Sequence, residues 1–329
     1  MAVRAFSSIR SRFTICSLVL ACIAWVPGGT SRAQSAAPYP SQMVRIVVPF
    51  SAGSTSDLLA RMVSERLSKR WQQQVIVENR PGIVGTASVA KAEPNGFTLL
   101  MTSNGHAILD KINTTLTFDP IKDFVGISKV ASLPLVLIVP PDSAAKSPSD
   151  LFDMARASPG KIGYASAGLG SVSHIGSELL KRVTKTDIQP VPYRGAPDAL
   201  TGVMRGDTQM CLATINVAVD LIQTGKVRAL AVSGKTRSQS LPEVPTFAES
   251  GMPEFEYEAW FGLLAPANTA NPILSKINED VVAIVQSDEI ARLLANQGAT
   301  AVASTPEQLT KALRAESDQA AGLFPKSEK

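Results

Sequence analysis

The sequence predicts an α/β protein of two similar lobes, and three observations carry that reading. Short β-branched runs alternate with amphipathic stretches at helical spacing along the chain. This alternation runs through one full cycle before Pro140-Pro141 and through a second after it. In each cycle a strand runs into a loop dense in serine, threonine and glycine that opens a helix: Ser51–Ser56 in the first, Ser166–Ser173 in the second.

The first cycle begins at Val44-Arg45-Ile46-Val47-Val48, which has the continuous apolar character of a buried parallel strand. The loop Pro49–Ser56 follows, then a helix whose apolar side carries Leu58, Leu59, Met62, Val63 and Leu67. Strands at Val75–Val77 and Thr98–Met101 flank a helix over Ala87–Ala92. A β-α-β-α-β order of this kind makes a mainly parallel sheet. The second cycle opens with Ser147-Pro148-Ser149-Asp150, where a capping serine, a first-turn proline and an acid start a helix that ends at Pro159-Gly160. Strands near Ile162–Ala165, Ile188–Val191, Met210–Ala213 and Val227–Val232 then alternate with helices at Val172–Val183, Ala196–Arg205 and Val217–Gln223. The tail from Pro272 is mostly helical.

Residues 1–33 stand outside this pattern. Arg4, Arg10 and Arg12 precede an apolar run from Phe13 to Val26, Pro27-Gly28-Gly29 breaks it, and Ser31-Arg32-Ala33 offers small residues at a cleavage site. That is the layout of a secretory signal peptide, and the run is short for a membrane span. Val19-Leu20-Ala21-Cys22 resembles a lipoprotein box, but the later break and cleavage site favour ordinary processing. Of 32 Lys+Arg against 28 Asp+Glu, four arginines lie before the cut, so the mature chain is formally neutral and lacks the footprint of a nucleic-acid binder. Cys211 alone survives cleavage, which rules out an internal disulfide; the roughly 295 remaining residues rely on core burial and suffice for two lobes.

The two loops are the candidate site. A helix N-terminus presents unpaired N–H groups and the positive end of the macrodipole, so it binds an anion without a basic side chain. Two such loops, expected to face each other across a cleft, suit the ends of a carboxylate. Tyr193-Arg194-Gly195 is a further candidate, as an aromatic wall with a basic partner or simply as surface packing. Asp57 could receive a ligand donor or serve only its own helix dipole. The rival from another class is a periplasmic serine hydrolase using Ser173 or Ser171 with His174. It lacks a Gly-x-Ser-x-Gly elbow, and His106 is the only other histidine. Gly168-x-Gly170-x-x-Ser173 misses the third glycine of a dinucleotide fingerprint, and Ala229 stands where a P-loop upstream of Gly234-Lys235-Thr236 needs glycine. No cofactor and no metal site are expected.

Segments along nearly the whole mature chain resemble the Bug family, the TctC-type substrate-binding proteins of tripartite tricarboxylate transport systems. They include Val44-to-Phe50 with Gly53, Asp57 and Ala60-Arg61; Val77-Glu78-Asn79-Arg80-Pro81-Gly82; Asn95-Gly96-Phe97-Thr98; Tyr164-Ala165-Ser166 with Gly168, Gly170, Ser171 and His174; Val191-Pro192-Tyr193-Arg194-Gly195; and Val244-Pro245-Thr246-Phe247. The resemblance implies a periplasmic-binding-protein fold of the Venus flytrap, type II-like kind, with hinge strands crossing between lobe 1 (40–138 with 259–329) and lobe 2 (139–258). It implies a monomeric periplasmic receptor, not an enzyme, that hands a small organic acid to a membrane permease or a sensor. Its binding residues carry over to Gly53, Ser54, Thr55, Asp57, Ser103, Asn104, Ser166, Gly168, Gly170, Ser171, His174 and Tyr193. The sequence departs from the family where Ser54 replaces the second glycine of a pair, and where Gln209 and Ala213 occupy positions at which acids are common.

Overall fold

The computed structural model describes residues 39–321; the leader read over 1–33, with Cys22, and the last residues of lobe 1 lie outside them. The first cycle forms β1 (Val44–Val48), α1 (Thr55–Trp71), β2 (Val75–Asn79), α2 (Ile83–Ala90) and β3 (Thr98–Ser103). After β3 come a 3-10 turn at Asn104–Ile108, the short α3 (Leu109–Ile112) and the 16-residue β4 (Phe124–Val139). The second cycle gives α4 (Pro148–Ala157), β5 (Gly163–Ser166), α5 (Val172–Thr184), β6 (Gln189–Pro192), α6 (Ala196–Met204), β7 (Met210–Thr214), α7 (Ile215–Gln223) and β8 (Arg228–Val232). The chain then returns through β9 (Glu258–Pro266) and ends in α8 (Asn271–Val285), α9 (Asp288–Asn296), the two-residue β10 (Thr300–Ala301) and α10 (Pro306–Ala321).

Most elements sit where their residues predict them, because local signals mark their ends. Ser147 and Asp150 form the reciprocal capping box that starts α4. The helix expected over Ala87–Ala92 instead starts at Ile83, directly after Gly82. Leu58, expected on the buried side of α1, is 41% exposed, so the buried face is carried by Leu59, Met62, Val63 and Leu67.

The strand order shows how the two cycles relate. In the first half it is β2-β1-β3-β9-β4, in which β1 pairs in parallel with β2 and β3, and β9 lies antiparallel between β3 and β4. The second half repeats this as β6-β5-β7-β4-β8, with β5 parallel to β6 and β7 and with β4 in the antiparallel place that β9 holds in the first. One strand therefore serves both halves: Phe124–Pro134 of β4 pairs with β9, and Leu135–Val139 with β7 and β8. β4 is thus a crossing strand of the kind that the family resemblance implies.

Ser233, 1% exposed, ties the crossing together. Its Oγ accepts from Leu135 N at 2.8 Å and donates to Tyr257 O, while its backbone bonds Leu135 O and Tyr257 N. The chain leaving the first half and the chain re-entering it are thus held by one residue. Ser233→Ala leaves a buried N–H and a buried C=O without that hydroxyl. It should cost roughly 1–3 kcal/mol, read as a lower urea midpoint with an unchanged slope.

Candidate functional site

Parallel strands place their following loops along one edge, and a ligand in an α/β sheet binds outside those carboxyl ends. Loops after β1, β3, β5, β6 and β7 border a single cavity at the junction of the two halves. Four helices begin at it: α1 through Thr55 and Ser56, α5 through Val172 and Ser173, α6 through Ala196, and α7 through its N-cap Thr214. Each N-terminus carries roughly half a positive charge and unpaired N–H groups. No basic or acidic side chain lines the cavity.

The α1 and α5 caps are near copies. Ser54 (φ −71°, ψ 158°) accepts from Asp57 N, and Ser171 (φ −70°, ψ 156°) accepts from His174 N. Ser171 Oγ also lies 3.0 Å from Ser173 Oγ, which accepts from Ala167 N. The loops before both caps turn through glycines at positive φ, Gly53 at 78° and Gly170 at 74°.

Of the residues nominated from the sequence, Ser54, Thr55, Ser103 and Ser171 line the cavity. Ser103 Oγ is buried without a hydrogen-bond partner. Gly53 and Asp57 stand just behind it. The Asp57 carboxylate takes hydrogen bonds from Gly53 N, Asn79 and Arg61, so it shapes the loop from within. Burial alone would raise its pKa, but those bonds and the Arg61 charge outweigh that and hold it below the ordinary carboxylate value. Gly168, Gly170 and His174 shape the second loop. His174 Nδ1 accepts from Gly170 N at 3.4 Å, and burial, partly offset by Glu178, lowers the imidazole's pKa. The His174 imidazole has no hydrogen bond to either serine hydroxyl, which leaves the hydrolase arrangement unassembled. Ser166 is buried, and its carbonyl accepts from Tyr193 N. The Tyr193 ring turns away from the cavity, toward Gly202 on α6. Asn104 lies in a separate pocket beside Tyr257 and Glu316.

The two serine-rich loops share the cavity, and no hydrogen bond among the described residues joins them. Contact between halves is crosswise. The first loop touches the edge after β6 and β7: Thr55 Oγ1 is 2.7 Å from Thr214 Oγ1 and 2.9 Å from Asn216 Oδ1, and Ser51 abuts Gly195. The second loop touches the turn after β3, where a β-carbon on Gly105 would lie 2.0 Å from Gly170 O. A β-carbon on Gly195 would lie 1.8 Å from Ser51 Oγ. Sequence reasoning passed over Gly105 and Asn216, whose importance comes only from what faces them. It also treated Cys211 only as a lone thiol. Cys211 lines the cavity beside Ala213, and burial raises its pKa to about 12.

A two-lobed α/β architecture with helix ends gathered on a junctional cavity defines a solute-binding receptor. The family model described as tripartite tricarboxylate transporter family receptor, TctC, matches residues 59–327, and the chain belongs to that family. It is 34% identical over 294 residues to the UPF0065 protein in the tcbD-tcbE intergenic region of Pseudomonas sp. (strain P51), covering 88% of each chain. Among solved structures, Rpa4515 of Rhodopseudomonas palustris with adipate has a TM-score of 0.82 at 30% identity, covering 87% of this chain and 97% of that one. MatC of the same organism with bound malate has 0.81 at 30% identity, covering 87% and 100%. The protein is thus an extracytoplasmic solute-binding protein and not an enzyme, and its fold is that of periplasmic binding proteins. Among the described residues no group of three or more His, Cys, Asp or Glu side chains is placed to hold a metal ion.

Two predictions follow from this geometry. Gly105→Ala and Gly195→Ala should keep the halves apart, lowering ligand affinity by about tenfold or more through a smaller closed fraction while leaving the melting temperature nearly unchanged; calorimetry with solution scattering reads both. Asp57→Asn should lower stability near neutral pH by roughly 1–3 kcal/mol. The Asp57 pKa is depressed in the fold, so its contribution is present above the unfolded value of about 3.9 and fades as pH falls through the folded one. The gap between variant and wild type should therefore narrow in urea titrations below about pH 4.

Proposed function

We propose that the protein captures a small carboxylate between two lobes, residues 40–138 with 259–329 and residues 139–258, and presents it to a tripartite tricarboxylate-type permease or to a sensor. The observation that carries this reading is the gathering of four helix N-termini on one cavity without any basic side chain. That arrangement neutralises an anion with backbone dipoles drawn from both halves. The adipate and malate in the two solved relatives belong to the same chemical class. Ser54, Thr55, Ser103 and Ser171 are assigned direct contact with the ligand. Gly53, Asp57, Ser166, Gly168, Gly170 and His174 are assigned the shaping of the loops, while Asn104 and Tyr193 stand outside the closed cavity. Cleavage after Ala33 would release the monomer into the periplasm.

The cavity encloses about 40 Å³, room for about three waters at 10–15 Å³ each. A dicarboxylate needs several times that, so binding requires the halves to open along the crossing strands before they close. Three to four hydroxyls and the first-turn N–H groups would then replace the water around the anion.

Calorimetry with a panel of mono-, di- and tricarboxylates should find binding that Ser171→Asp weakens at least about tenfold, because a fixed negative charge then occupies the dipole end. Labelling of Cys211 by a thiol reagent should slow when the bound acid is present. A panel without any binder, or a Ser171→Asp protein of unaltered affinity, would overturn the reading.

A further inference from the structure

A second cavity, of about 250 Å³, lies between the turn after β3, helix α5, the start of β9 and α10. It shares no lining residue with the junctional cavity, and its chemistry is the reverse. Three carboxylates line it, those of Glu256, Glu258 and Glu316, and no Lys, Arg or His does. We propose that this cavity is a separate binding site for a small organic amine, a primary ammonium on a short hydrocarbon body. Glu256 and Glu258 at its mouth are exposed, so a ligand enters without any movement of the two halves.

The inner wall presents acceptors that the fold leaves open. Asn104 is 4% exposed, and its Oδ1 is buried without a hydrogen-bond partner, as is the hydroxyl oxygen of Tyr257. Both residues lie against Glu316. An ammonium carries three donors and no acceptor, which matches a carboxylate, an amide oxygen and a phenol oxygen. The Glu316 carboxylate accepts from Trp260 Nε1 but forms no ion pair among the described residues. Lys129 sits over the Trp260 ring, 5.0 Å from its centroid, and stays outside the lining. Burial raises the Glu316 pKa, although Trp260 and Lys129 act the other way, so the carboxylate lacks a sufficient counter-charge. At the mouth Glu258 is likewise unpaired, and Glu256 has only the exposed Lys235 at 3.6 Å, a weak partner. Ile108, Ile175, Leu179 and Ala320 give the hydrocarbon body an apolar wall. A bare metal ion fits poorly, since no three acidic or other ligating side chains among the described residues converge closely enough to hold one.

The test titrates butylamine into the mature protein by calorimetry, beside butyltrimethylammonium, which keeps the charge without N–H donors, and 1-butanol, which keeps a donor without the charge. Butylamine should bind at least about tenfold more tightly than either. Glu316→Gln retains an acceptor for Trp260 and should weaken butylamine at least about tenfold. Glu258→Lys, at an exposed position, should weaken it several-fold in a protein of native melting temperature. Ser171→Asp, in the other cavity, should leave it unchanged. No heat of binding at about 10 mM butylamine, or an affinity that neither glutamate variant moves, would overturn the proposal and leave the carboxylate reading standing. So would a loss caused by Ser171→Asp, which would place the amine at the junctional cavity.

Discussion

Parallel pairing is the constraint on which the site depends. Because β1, β2 and β3 run one way in the first half, and β5, β6 and β7 in the second, the turns that follow them emerge along one edge of each sheet. Helices leaving those edges start with their positive ends toward the cavity. The anion-binding character is therefore a property of the fold's direction. Side chains add only hydroxyls and shape.

The shared strand joins the two sets of helix ends. β4 is one covalent segment that belongs to both halves, and Ser233 fastens it to the returning chain at Tyr257. The change of pairing partner falls at Pro134-Leu135, so each half keeps its own set of ladder hydrogen bonds on either side of that point. The crosswise meeting of Gly105 with Gly170 and of Gly195 with Ser51 sets how closely the halves approach, since backbone there meets backbone or a short side chain with no room for a β-carbon.

Much of this is legible in the sequence, for reasons that differ by element. β1, α4 and α5 announce themselves through a β-branched run, a capping box and a serine cap. β4 and β9 do not. Twelve of the 16 residues of β4 and eight of the nine of β9 are buried, so neither shows the alternation of a half-exposed strand, and β4 also carries Gly126 and Pro134. Only the family resemblance signals crossing strands. The serine-rich loops are visible as loops, yet which partner each one touches depends on how the halves pack. Asp57 shows the same limit: its spacing from the cap is plain, but Asn79 and Arg61 decide what it does.

The placement of β9 has a consequence for biosynthesis. β3 and β4 are joined in the sheet only through β9, which ends at Pro266, after the whole second half has been made. A nascent chain therefore cannot complete its first sheet until about four-fifths of the polypeptide has left the ribosome. Until β9 is made, β3 lacks the neighbour that joins it to β4, so the first half is finished only after the second has been synthesised.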